Sequence, residues 1–175
     1  MLINAKKSCS IRVGPRYDVE CANITTNNGS ILPWVNELRY LGVYIVNSRN
    51  FKCSLDNAKR ACYRSLNAIF GKVGRIASEE VIVELIIKKC LPILLYGLEA
   101  LPLNNTERKS LDFVFTRFFM KLFKTSNNLV IQECQMYLGF RLPSVTIMLR
   151  HERFLQRYCS SANSLCVWCS QYVNN

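Results

Sequence analysis

The clearest strand pattern in the chain is Leu38-Arg39-Tyr40-Leu41-Gly42-Val43-Tyr44-Ile45. Aliphatic residues alternate along it with aromatic residues and a glycine, and this period of two is typical of a half-buried strand. The pattern predicts one strand over residues 39–46, closed by the polar residues 47–50.

Shorter extended runs come before this strand. One run covers residues 10–13 and stops at Gly14-Pro15. Two others, 19–25 and 30–33, flank Asn27-Asn28-Gly29, whose residues tolerate positive φ and therefore predict a hairpin turn. Residues 9–46 are accordingly predicted to be a set of short antiparallel strands.

The sequence period changes to 3.6 after Ser54, which is a suitable N-cap for a helix. One side of this helix is apolar, and its members are Ala58, Ala61, Cys62, Leu66, Ile69, Phe70 and Val73. Arg60, Arg64 and Arg75 fall on the opposite side, and Lys72 lies close to them. The two sides predict a helix with one buried face and one basic face.

More helices are predicted downstream. One begins after Ser78 and should end or kink near Pro92, because proline lacks an amide donor. Another follows Asn104, and shorter ones are predicted over about 129–138 and 143–161. The predicted core face of the helix after Asn104 consists of Leu111, Val114, Phe115, Phe118, Phe119 and Leu122. The fold class is therefore α+β, with short antiparallel strands followed by an α-helical bundle.

The chain of 175 residues is basic, with 23 Lys and Arg against 12 Asp and Glu and a net charge of +11. A basic excess of this size attracts polyanions through phosphate contact and counterion release, and nucleic acid is the commonest polyanion. Simple solubility of a charged surface is the alternative. The most apolar run, residues 90–98, is interrupted by Pro92 and is too short to span a bilayer, so no membrane partner is expected.

The nine cysteines do not predict a disulfide framework. Their number is odd, no apolar leader is visible, and Cys62 and Cys90 fall on apolar helix faces, which favours a reducing, intracellular, non-secreted environment. Cys159, Cys166 and Cys169, with His151 upstream, leave metal binding open. Their spacing matches no zinc-finger pattern, so free thiols are the alternative that we favour.

Three motifs resemble, in their order, the end of the palm and the thumb of a reverse transcriptase from a LINE-type (non-LTR, jockey-like) retrotransposon. Asn4-Ala5-Lys6-Lys7-Ser8 is similar to motif D of that family, Tyr40-Leu41-Gly42-Val43 to its motif E, and Leu94–Glu99 to a segment that follows the thumb. The resemblance implies a palm-end β segment over 1–50, thumb-like helices over 51–103, and a C-terminal helical region over 104–175.

The resemblance also implies roles for individual residues. Lys7 would act on the pyrophosphate side of phosphoryl transfer, as a lysine that stabilises or protonates the departing group. Residues that would contact a template–primer duplex of RNA and DNA are Tyr40, Leu41, Gly42, Arg60, Arg64, Lys72 and Arg75. Glu99 would be a packing residue, paired to an arginine of the bundle.

The parent family uses Mg²⁺ held by aspartates, but this chain contains no Asp-x-Asp or Asp-Asp pair. Two-metal catalysis needs clustered carboxylates. We therefore expect a truncated polymerase fragment that holds template and primer without a metal or other cofactor of its own, with the polymerase N-terminal part as a further partner. The alternatives are a non-catalytic basic nucleic-acid-binding module and a helical interaction module.

Overall fold

A computed structural model describes residues 3–74 and 76–173. The chain is a mixed α+β protein, as predicted, and forms two compact units, Met1–Asn57 and Ala58–Asn175. Strands make up the first unit and helices the second.

The first unit begins with a single 3-10 turn, Ala5–Lys7, and then forms the predicted hairpin. Strands β1 (Ile24–Thr25) and β2 (Ile31–Leu32) pair antiparallel, and the amide of Thr26 donates to the carbonyl of Ser30 at 2.8 Å. Gly29 lies in the turn with φ 77°. The hairpin is confirmed, but its strands are shorter than the extended runs in the sequence.

A three-stranded antiparallel sheet completes the first unit. Its strands are β3 (Glu37–Tyr40), β4 (Val43–Val46) and β5 (Lys52–Ser54), in that order across the sheet. The prediction of one strand over residues 39–46 is therefore wrong: the chain reverses at Leu41-Gly42, and Tyr40 pairs with Val43. Both turn residues have positive φ, 47° and 86°, which defines the tight two-residue turn that matches the twist of paired strands.

The run over residues 10–13 forms no strand of its own. It makes two isolated bridges, Ser10 to Trp34 and Val13 to Ser48. Gly14, with φ 135°, ends it as the sequence predicted.

The helices follow in close succession. Helix α1 covers Asp56–Val73, α2 Glu79–Leu85, α3 Leu91–Leu95, α4 Asn105–Leu122, α5 Asn128–Tyr137, α6 Pro143–Cys159 and α7 Ser164–Val173. A π-helical segment, Ile86–Cys90, joins α2 to α3, and a 3-10 turn, Leu98–Ala100, precedes α4. None of the helices in the described residues combines the length and the apolar character that a membrane span requires.

Pro92 does not end its helix, although an end or a kink near this residue was predicted. Proline cannot donate to the carbonyl four residues earlier, and its ring clashes with that carbonyl. The chain accommodates it by widening one turn, so that the amide of Leu91 bonds to the carbonyl of Ile86, five residues back. The helix then continues to Leu95, which keeps Leu91, Leu94 and Leu95 buried.

Helix α4 supplies a large part of the helical core. Asn104 and Glu107 form a reciprocal capping box at its start, which satisfies two backbone amides. Its buried residues are Leu111, Val114, Phe115, Phe118 and Phe119. Phe140 closes the cluster, with ring centroids 5.2 Å from Phe115 and 4.9 Å from Phe119.

Cysteines contribute to the same core as small apolar residues. Cys62 and Cys90 are fully buried, and the Cys62 thiol donates to the carbonyl of Cys90 at a sulfur–oxygen distance of 3.7 Å. Burial raises the pKa of the Cys62 thiol to about 12, with the nearby Cys90 adding to the effect. The Cys90 pKa is raised too, mainly by burial. Both thiols are therefore neutral and unreactive at physiological pH.

Candidate nucleic-acid interface

The basic face of α1 is defined by burial on its other side. Cys62 and Leu66 are buried, so Arg60, Arg64 and Lys72 lie outward and are exposed to solvent. Arg75, predicted on the same face, lies outside the described residues. The structure thus places the three described cations on one solvent-accessible helix, as the helical period requires.

Helix α4 brings two more cations beside this face. Lys121 Nζ lies 3.3 Å from Asn67 Oδ1 and 4.6 Å from the centroid of the Phe70 ring. Both partners are on α1, so Lys121 is held against that helix by a hydrogen bond and a cation–π contact. The Phe70 ring in turn packs edge-on against Phe118, with centroids 6.1 Å apart.

Arg117, one turn before Lys121, acts on Tyr63 of α1. Burial raises the pKa of the Tyr63 hydroxyl, and the positive charge of Arg117 partly opposes that rise. We call the surface made by Arg60, Arg64 and Lys72 of α1 with Arg117 and Lys121 of α4 the α1–α4 basic face. Sequence reasoning missed Arg117 and Lys121, although their spacing of four, away from the buried stripe of α4, was an available signal.

The predicted motif E residues form the tip of the β3–β4 hairpin in the first unit. Tyr40 and Leu41 are 62% and 75% exposed, and Gly42 completes the turn. Leucine is unusual at position 41, because positive φ brings a side chain too close to its own backbone. This conformation costs about 1–2 kcal/mol for a residue other than glycine. Glycine or asparagine would normally stand there. The apolar Leu41 side chain is therefore exposed in a backbone conformation that lowers the local stability.

Lys7 lies in the same unit, at the end of the 3-10 turn. Asn4 Oδ1 accepts a hydrogen bond from the Lys6 amide at 3.2 Å, and the Lys7 amide donates to the Asn4 carbonyl at 3.0 Å. The asparagine of the motif therefore caps a turn, and the Lys7 side chain is exposed. Lys7 and the hairpin tip belong to the first unit, whereas Arg60 and Arg64 belong to the second.

The described residues offer no cluster of side chains that could hold a metal ion. No group of three His, Cys, Asp or Glu side chains within residues 3–74 and 76–173 is arranged to hold a metal ion. His151 instead uses its Nδ1 in a 2.7 Å hydrogen bond to the Glu99 carbonyl. The predicted pairing of Glu99 with an arginine is not present in the described part of the chain, where the buried Glu99 Oε2 has no hydrogen-bond partner.

Comparisons of the chain with protein-family models, with curated proteins and with solved structures give no match. The functional argument accordingly depends on the geometry of the chain itself and on the motifs in its sequence.

Proposed function

We propose that this chain is the template–primer-holding part of a non-LTR reverse transcriptase, with the palm end in its first unit and the thumb in its second. The α1–α4 basic face is the observation that carries the proposal, because it combines exposed guanidinium and ammonium groups on two helices that contact each other. Guanidinium groups bind phosphate oxygens in bidentate fashion, and ammonium groups bind them as point charges.

The dimensions of this face suit a nucleic-acid backbone. Arg60 and Lys72 are separated by about 18 Å along the axis of α1, at roughly 1.5 Å per residue. A strand of duplex advances about 3.4 Å per nucleotide, so this length corresponds to roughly five nucleotides. Around the axis Arg64 lies roughly 40° and Lys72 roughly 120° from Arg60, so an RNA–DNA hybrid lying along α1 would meet Arg60 and Arg64 together and Lys72 at the edge of the same face.

Salt dependence of hybrid binding tests this proposal. We expect the triple variant Arg60→Gln, Arg64→Gln and Lys72→Gln to bind an RNA–DNA hybrid about tenfold or more weakly near physiological salt. The slope of log K against log salt should fall by about 2–3, since each lost phosphate contact removes about 0.9 from it. Fluorescence anisotropy of a labelled hybrid over a salt series measures both quantities.

A matched control removes the same total charge elsewhere. Lys89, Lys109 and Arg153 are exposed on other parts of the helical unit, and their triple replacement by Gln also lowers the net charge by three. If this control weakens binding as much as the α1 variant does, the attraction comes from overall charge and the proposed face is wrong.

The strained hairpin tip is proposed to contact the primer backbone through Tyr40 and Leu41. Replacing Leu41 with Asn should stabilise the first unit by about 1 kcal/mol, because asparagine tolerates the left-handed conformation. The same change should weaken hybrid binding several-fold. Thermal unfolding and anisotropy of one preparation measure the two effects. A variant that is stabilised with unchanged affinity would assign Leu41 no role in binding.

Catalysis itself is proposed to need residues that this sequence does not supply. Lys7 would act on pyrophosphate only beside a metal centre, and Mg²⁺ in the related enzymes is held by paired aspartates that have no counterpart here. We expect the purified chain with Mg²⁺, a primed template and deoxynucleotides to give no extension. Incorporation above the background of a protein-free reaction would contradict this expectation.

A helical interaction module is the second candidate function. It is favoured by the outer face of α5, where Leu129, Met136 and Tyr137 are 69%, 75% and 85% exposed. Large exposed apolar groups on one short helix are typical of contact surfaces. Unchanged hybrid affinity of the α1 triple variant would favour this function over nucleic-acid binding.

A further inference from the structure

The helical unit contains a pocket that the basic face does not use. It has a volume of about 740 Å³ and lies between the segment Ala100–Asn104, the first turns of α4, and α6. Arg108 and Arg117 are nine residues apart on α4, about 180° around the helix, so the pocket and the α1–α4 basic face are separate surfaces. A volume of this size is typical of small-molecule sites.

One wall of the pocket is apolar and carries two aromatic rings. Phe154 and Tyr158, one turn apart on α6, are stacked with ring centroids 6.1 Å apart and planes within 21° of each other. Leu101, Pro102 and Leu103 lie among the other lining residues. Stacked aromatic rings beside aliphatic side chains favour a flat ligand.

Two polar groups supply the chemistry of the site. Arg108 is half-buried, and its Nε is buried without a hydrogen-bond partner in the described residues. Because that atom is not accessible, a ligand in the pocket would bind the outer nitrogens of the guanidinium. Among the described residues that line the pocket there is no carboxylate, so the site favours an anion. His151 donates from Nδ1 to a carbonyl, which leaves Nε2 as an acceptor in the neutral ring.

We propose that this pocket binds a nucleoside monophosphate. Arg108 binds the phosphate, the base lies against the Phe154–Tyr158 wall, and His151 Nε2 accepts a hydrogen bond from an amino or imino group of the base. This goes beyond duplex holding, because it assigns a site for a single unpaired nucleotide on another surface of the helical unit.

Calorimetric titration of the full chain with AMP and UMP tests the proposal. We expect saturable binding that Arg108→Gln weakens about tenfold or more, since a charge-assisted hydrogen bond to phosphate is lost. Lys109→Gln is the matched control, because this neighbouring side chain is exposed, lies outside the pocket and carries the same charge. It should change the affinity less than about twofold.

A second variant keeps the test independent of Arg108. Phe154→Leu should weaken nucleotide binding several-fold and leave the weaker binding of inorganic phosphate unchanged, because only the flat ring is removed. Far-UV circular dichroism of each variant verifies folding. The proposal is overturned if AMP binding does not saturate, or if Arg108→Gln and Lys109→Gln lose equal affinity for AMP. It is also overturned if inorganic phosphate binds as tightly as AMP. The α1 triple variant should bind AMP normally, so failure of the duplex proposal is distinguishable.

Discussion

Phe119→Ala is expected to destabilise the helical unit by about 3–5 kcal/mol, the range for removing a large aromatic side chain from a packed core. Phe119 is 0% exposed, and its ring meets Phe118, Phe123 and Phe140 at centroid distances of 6.4, 5.9 and 4.9 Å. Because three separate rings pack against Phe119, the core cannot close the gap by moving one side chain. Since domains are stable by only about 5–15 kcal/mol, the variant should be partly unfolded at 37 °C.

Phe113→Ala on the same helix is the matched control. Phe113 is 53% exposed, and the substitution removes the same atoms. We expect a loss below about 1 kcal/mol, as for an ordinary surface change. Urea unfolding followed by the helical circular dichroism signal compares the two variants. Equal losses would mean that the aromatic cluster of Phe115, Phe119 and Phe140 does not organise this unit.

The helical part of the fold was largely predictable because its signals are local. The period of 3.6 and the cap residue Asn104 placed α4 correctly, and five of its six predicted core residues are buried, with Leu122 only partly so. Helices α5 and α6 begin and end within about two residues of the prediction. Helix α1 begins at Asp56, whose amide donates to Ser54 Oγ at 3.4 Å, close to the predicted start.

The errors fall where a residue acts against its usual preference. An alternating pattern of residues does not indicate that Leu41 adopts the left-handed conformation. Only the following residue, Gly42, is of a type that favours a chain reversal. Pro92 sits inside a helix because one wide turn accommodates it, and no sequence period reveals such a turn. Strand β5 has three residues and precedes α1 directly, so its signal is too short to detect.

The candidate site was only partly predictable. The basic face of α1 follows from its own period, but Lys121 reaches that face through contacts with Asn67 and Phe70, residues more than fifty positions away. The pocket at Arg108 and His151 depends on α4 and α6 packing together, which no motif encodes. Contacts between distant segments were the information that the sequence pattern did not contain.

The helical unit is expected to lose stability as the pH rises above about 9, because of the buried thiol of Cys62. Its pKa is about 12 in the folded chain against 9.0 for the unperturbed group. Below pH 9 the thiol is neutral in both states and has no effect. Between these values the unfolded chain loses the proton while the folded chain keeps it, so stability falls by about 1.4 kcal/mol per pH unit. Cys90, whose pKa is also raised, adds a loss of the same sign.

Cys62→Ala isolates this effect from the titration of lysines and tyrosines elsewhere. Between about pH 8 and pH 10.5, the native chain should lose roughly 2 kcal/mol more stability than the variant, by the same linkage. Urea midpoints at the two pH values measure the difference. Alkylation at about pH 8 gives an independent check, since the exposed Cys9 and Cys159 should react quickly and Cys62 only on unfolding. Parallel pH profiles for the two proteins would mean that water reaches Cys62, and that α1 does not seal the core behind its basic face.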